Sequence, residues 1–184
     1  VFLIQACGNS PQKDSKAFAD SINKSVDSSN KANPKYGRVV SEPAATFAVA
    51  AYSGGMAEVE LGRLAQQKAT DQQIKDFGAM MVADHSKANV NLKQIADGHK
   101  VTLPAKIGLD EQQLKDELSS KSGADFDEAY VKAMVKDHEE DIKEFEHAGN
   151  IITYPDLIQF QKNTLPVLKK HLTAIQQIKA RLHY

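Results

Sequence analysis

The 184-residue sequence holds a single cysteine and no tryptophan. One thiol closes no intramolecular disulfide and builds no cysteine-rich zinc or iron–sulfur site, which excludes the disulfide-stapled and zinc-finger classes of small domain. An excess of charge of either sign is missing as well: 23 Lys and Arg stand against 24 Asp and Glu, for a formal net charge of −1. That balance lacks the basic footprint that neutralises a phosphate backbone, so nucleic acid is not an expected partner. No apolar run approaches the roughly 18 residues that a membrane-spanning helix requires. Glycine and proline are sparse, at 10 and 6 residues. No glycine-rich phosphate loop, Ser/His/Asp order or Cys/His pair supports kinase or hydrolase chemistry.

What remains is 41% hydrophobic and 26% charged, the composition of one globular domain of ordinary size. Three parts are expected along it. Residues 1–7, Val-Phe-Leu-Ile-Gln-Ala-Cys, read as the end of an apolar signal segment. Ile4, Ala6 and Cys7 resemble the lipobox of bacterial lipoproteins, in which the cysteine is the lipidated residue, so Cys7 is expected to anchor the protein to a membrane from the extracytoplasmic side. Acyl chains there would contribute about 0.8 kcal/mol per buried methylene. Residues 8–42 are rich in Ser, Asn and Lys, with only scattered apolar positions such as Phe18, Ile22 and Val26. They are expected to form a flexible polar tether, the alternative being a short helix over residues 15–26 docked on the body. Residues 43–184 form the domain proper.

Within that domain, apolar or small residues recur every three or four positions, the period of a helix face. Phe47, Ala51, Gly54, Leu61 and Ala65 mark a first long helix; Ile74, Phe77, Met81, Ala88, Leu92 and Ile95 mark a second, with Thr70 and Gln73 in a capping-box pattern before it. Phe126, Tyr130, Met134, Ile142 and Phe145 mark a third, and Leu157, Leu165, Leu168, Leu172, Ile175 and Ile178 a fourth, in which Pro166 predicts a kink or break. A shorter amphipathic piece over residues 111–119 falls between the second and third. No strand-type alternation competes. The expected fold is all-α: an antiparallel four-helix bundle with a short extra helix in the crossover between helices two and three.

Each long helix carries one polar residue where its period calls for an apolar one, and burial of an unpaired charge costs several kcal/mol. These residues are Glu58, His85, His138 and His171, each close to the midpoint of its helix. At about 1.5 Å rise per residue, antiparallel packing brings them to one level. Met81 to His85 (Met-Val-Ala-Asp-His) recurs as Met134 to His138 (Met-Val-Lys-Asp-His), as in two related helical hairpins. Three imidazoles and a carboxylate suit a single transition metal, zinc, iron, manganese or copper; the alternative is a metal-free hydrogen-bonded layer. Asp84 and Asp137, about 100° around the helix from their histidines, are candidates to orient a neighbouring helix's imidazole. Asp141 lies one turn beyond His138 and is a candidate for either rank, and Asp127 and Tyr130 are candidates to reach the same layer. Glu144 and His147 form Glu-x-x-His, a spacing found in di-iron bundles, but lie off the stripe and read as surface, while His99 and His183 fall at helix ends.

Met56 to Leu61 (Met-Ala-Glu-Val-Glu-Leu), the two Asp-His motifs, Gly123 to Tyr130 (Gly-Ala-Asp-Phe-Asp-Glu-Ala-Tyr) and Leu165-Pro166 through His171 together resemble the bacterial envelope family known as domain of unknown function 4142. The resemblance covers roughly residues 47–178. It implies a ferritin-like helical bundle, secreted or associated with the outer membrane or periplasm, and implies no activity. Ferritin-like di-iron proteins take a Glu from each of two helices and Glu-x-x-His from the other two. Here only Glu58 holds a comparable position, so iron storage and ferroxidase chemistry are not carried over. Three functions are expected from this reading: a non-enzymatic, lipid-anchored envelope protein with a metal site; a metal-dependent redox or stress-protection enzyme; or a metal-free module that binds an envelope protein or a second copy of itself.

Overall fold

In a computed structural model, residues 14–32 and 40–184 are described, and Cys7 with its expected lipidation lies outside them. Six helices occupy these residues: α1 (Ser15–Ala32), α2 (Glu42–Lys68), α3 (Gln72–Gly98), α4 (Leu109–Ser120), α5 (Gly123–Ile151) and α6 (Pro155–Leu182). There is no strand among the described residues. None of these helices is long and apolar enough to cross a membrane.

Local chemistry sets the helix ends. Proline stands in the first turn of both α2 and α6, where the missing N–H has no intrahelical acceptor to lose. The cap of α3 is Asp71 rather than the expected Thr70: its side chain accepts from the Gln73 and Ile74 backbone N–H groups at 2.9 and 3.3 Å. Thr70 is engaged elsewhere, donating from its backbone and hydroxyl to Asp127. At the other end of α3 the chain reverses through Lys100 at φ 59°, with Val101 N–H donating to Ala96 O at 2.8 Å and Lys100 N–H to Asp97 O at 3.3 Å. This is a Schellman closure with lysine in the left-handed position. α6 runs through Pro166 as one helix, so of the kink or break expected there the break does not occur.

Packing joins α2 to α3 and α5, and α6 to α5 and α3, which encloses the core among the four long helices. α2 and α3 approach most closely at Gly62 and Gly78, where a Cβ on either would stand 2.6 Å from the other's carbonyl oxygen. The apolar interior is divided in two. Phe47, Leu92, Phe145, Phe160 and Leu168 anchor one cluster; Leu61, Ile74, Phe77, Met81, Tyr130 and Ile175 anchor the other.

The stretch expected to be a tether contains α1, so the docked-helix alternative describes residues 15–32. Ala19 and Asn23 are buried, Ile22 and Val26 half-buried, in a stripe laid mainly against α2. That narrow stripe is supplemented by a polar clasp: Asn23 donates to Thr102 O at 2.9 Å and accepts from Thr102 N–H at 2.8 Å. Ser15 Oγ accepts from Ala105 N–H at 3.0 Å.

Candidate metal centre

Between the two apolar clusters lies a polar layer made of one residue from each long helix. Glu58 of α2 is 1% exposed, His85 of α3 5%, and His138 of α5 and His171 of α6 0%. Midpoint placement brings all four together. One ring nitrogen from each of the three histidines lies within 4.8 Å of the others, a spacing suited to a shared ion.

His138 and His171 are oriented by partners outside the trio, one hydrogen bond runs between His85 and His171, and His138 Nε2 is the ring nitrogen left without one. His138 Nδ1 donates to the Met134 carbonyl at 2.9 Å, which leaves Nε2 as a lone pair. His171 Nε2 donates to Asp84 Oδ2 at 2.9 Å, which leaves Nδ1 facing His85 Nε2 at 3.3 Å. Glu58 Oε2 approaches His85 Nδ1 at 2.6 Å and Oε1 approaches His138 Nε2 at 3.3 Å. Neither approach is aligned as a hydrogen bond, and with only the Asp137 side chain beside it the Glu58 carboxylate, like His138 Nε2, is buried without a well-aligned hydrogen-bond partner. Such orphans are rare in folded interiors. A cation set among these atoms would engage all three.

The electrostatics agree with a ligand set kept deprotonated at nitrogen. Burial lowers His85 to about 4. Burial, with His85 and His171 as neighbours, lowers His138 to about 3. Burial lowers His171 to about 4 against the opposing pull of Asp84. Glu58 moves the other way, raised by burial to about 8. Asp137 and Asp141 are raised well above the usual carboxylate range by burial and by the negative charge of Glu58.

The remaining candidates separate. Asp84 orients the imidazole of a neighbouring helix, the geometry its position on α3 implied. Asp137 orients no imidazole; it joins Glu58 and His138 in a second group whose donor atoms lie within 4.8 Å of one another. Asp141 stands beside it, with Oδ1 4.0 Å from where a Cβ on Gly54 would be. Asp127 is a correction: it lies outside the layer and ties the α2–α3 turn, accepting from Thr70 N–H at 3.0 Å and Asp71 N–H at 3.0 Å. Tyr130 is fully buried with an unpartnered hydroxyl, packed against Phe77 and Phe126 and raised by burial and by the charges of Glu58 and Asp137. Glu144 and His147 are exposed. His99 instead joins α3 to α6 through Asp156 at 2.6 Å.

Two contributors escaped the sequence reading. The Met134 carbonyl is backbone, and its only signal was its place four residues before His138. Phe77 sets its ring edge-on against His138 and His171, at centroid distances of 6.0 and 6.4 Å, and walls the layer on one side. On the α3–α6 side the layer is reached by a half-open cleft of about 580 Å³ lined by Asp84, His85, Lys87, Asn91, Asn163 and Thr164. The sequence model of one family, described as Domain of unknown function (DUF4142), matches residues 27–178. No curated protein and no solved structure matches the chain.

Proposed function

The chain belongs to the DUF4142 family, whose description carries no activity, and from that premise we propose that it is a lipid-anchored envelope protein built around a transition-metal centre at Glu58, His85, His138 and His171. The observation that carries the metal reading is the set of atoms without a well-aligned hydrogen-bond partner, Glu58 Oε1 and Oε2 and His138 Nε2, in a layer whose His138 and His171 rings are oriented by partners outside the trio. A metal-free network would be expected to pair these groups, because an unsatisfied buried polar group costs about 1–3 kcal/mol. Three nitrogens and a carboxylate suit zinc, iron, manganese or copper.

The pairwise packing of α2, α3, α5 and α6 supports an antiparallel, ferritin-like arrangement of these four helices. The envelope location and the anchor rest on the residues before Cys7 and on their resemblance to a lipobox. In this reading the centre is structural: it ties four helices at their midpoints and converts metal affinity into folding stability.

A second reading, a redox or stress-protection activity, is favoured by the α3–α6 cleft, which brings solvent to His85 and so allows an exchangeable position on a bound metal. The test common to both readings is elemental analysis of the purified chain beside a His85→Ala, His138→Ala double variant, with thermal melts in chelator. Stoichiometric metal absent from the variant, with a chelator-sensitive melt, is the expected result. Failure of the wild type to take up any of these metals after reconstitution overturns the proposal.

A further inference from the structure

Where α2 meets α3, two glycines let the helices close on one another. Where α3 meets α6, the seam stays open as the cleft of about 580 Å³. Its walls are two stripes of equal spacing. Asp84, Lys87, Ala88 and Asn91 follow one another at three- and four-residue intervals on one face of α3, and Phe160, Asn163, Thr164 and Val167 repeat that spacing on α6. The stripe that a bundle helix turns toward its neighbour is ordinarily apolar. Here each stripe carries polar side chains whose burial against the other helix would leave them unpaired, which opposes closure of the seam.

The polar side chains of the cleft are mostly uncommitted donors. Lys87, Asn91 and Thr164 make no hydrogen bond or ion pair among the described residues. Asn163 accepts from Gln159 Nε2 at 2.8 Å through Oδ1, which leaves its NH₂ group free to donate. Asp84, three residues before Lys87, does not pair with it; its Oδ2 accepts from His171 Nε2 at 2.9 Å instead. The cleft therefore offers one ammonium group, two amides and a hydroxyl, over a floor formed by Ala88, Val167 and Leu168. Its volume falls in the range of small-molecule sites, roughly 300–1,000 Å³. One ammonium beside neutral donors matches a single carboxylate, whereas phosphate favours the bidentate fork of Arg, and no Arg lines the cleft.

We propose that the α3–α6 cleft is a binding site for a small organic carboxylate. Its acid group is held by Lys87 and Asn91, which stand one turn apart on α3, with Asn163 and Thr164 donating from α6, and its hydrocarbon body lies on Ala88, Val167 and Leu168. None of these residues is a ligand of the metal centre, so the site goes beyond the metal reading and stands whether or not the layer holds an ion.

The test is a titration of the ¹⁵N-labelled full chain, with its metal content measured beforehand, using benzoate, benzyl alcohol, benzylamine and inorganic phosphate as probes. Benzoate is expected to shift backbone amides saturably and only around the two stripes, with benzyl alcohol at least tenfold weaker. Lys87→Gln removes a charge-assisted hydrogen bond and is expected to weaken benzoate roughly tenfold or more. Val167→Phe fills the floor and is expected to abolish binding. Lys87 is exposed, so the thermal melt of its variant is expected to match wild type, which separates loss of the site from loss of the fold. Benzoate shifts scattered over the surface lysines, or no shifts at all, overturn the site. Equal affinity for benzyl alcohol, or tighter binding of benzylamine or of phosphate, overturns the carboxylate assignment, as does full benzoate affinity in Lys87→Gln. Because these outcomes are read in protein of known metal content, they are distinguishable from failure of the metal centre, which elemental analysis reports by itself.

Discussion

Glu58→Gln distinguishes a metal centre from a hydrogen-bonded layer, because the two make opposite demands on the carboxylate. In the apo protein Glu58 is a liability. Its pKa is raised by burial from 4.5 to about 8, so the folded state holds a proton that the unfolded chain releases, and stability falls as pH rises from about 4.5 to about 8. At pH 7 the protein stands about 2.5 units above the unfolded value, which corresponds to about 3 kcal/mol at roughly 1.4 kcal/mol per unit, an upper figure for a buried group. Gln is nearly isosteric, carries no charge and can donate to His138 Nε2, so in chelator the variant is expected to be more stable than wild type at pH 7 and equal to it near pH 4.5. For a chain of this size the difference is roughly 6–12 °C in melting temperature. Histidine protonation, which lowers stability as pH falls from 6.5 toward 3–4, acts on both proteins and leaves the difference intact. With saturating Zn²⁺ the order reverses, since the variant has lost an anionic ligand. The assay is paired melts at several pH values, with chelator and with metal. A variant less stable than wild type in chelator at every pH would refute the reasoning, because it would mean that ionised Glu58 already has good partners in a metal-free network.

Other outcomes follow from single contacts. Asp84→Ala frees the His171 ring from its 2.9 Å partner and is expected to weaken metal affinity by roughly 10–100-fold, read by competition with a chromophoric chelator, with the fold retained. Asp127→Ala strips the Thr70 and Asp71 donors of their acceptor and is expected to cost about 3 kcal/mol in chemical denaturation without changing metal content, as its place outside the layer requires. Gly62→Ala sets a methyl group 2.6 Å from the Gly78 carbonyl, and the forced separation of α2 from α3 is expected to cost about 1–3 kcal/mol in the same assay. Asn23→Ala removes both bonds to Thr102, and hydrogen exchange is expected to accelerate across α1 while α3 stays protected.

The four long helices were legible because a helix face repeats every three to four residues whatever it packs against. The same period exposed Glu58, His85, His138 and His171 as polar residues on apolar stripes, and their places near the helix midpoints put them at one level. α1 was less legible: its stripe of Ala19, Ile22, Asn23 and Val26 is too thin to hold a helix down, and its clasp, Thr102, lies 79 residues away. Thr70 and Gln73 had the form of a capping box, but Asp127, across the fold, claims the threonine, and Asp71 caps instead.

The sequence by itself determined which face of each helix points inward and which polar residues ride on it, since both follow from the chain's local geometry. The rotation and axial shift of one helix against another were decided only in the tertiary structure, by close contacts such as Gly62 against Gly78. Those two quantities separate Asp84, which supports His171, from Asp137, which faces Glu58, although the two occupy equivalent places in a repeated motif. They also send Asp127 to a turn and set the Glu58 carboxylate against two imidazoles. A displacement of one or two ångströms, about a residue's rise along a helix, decides such pairings, and no residue pattern within a single helix encodes it.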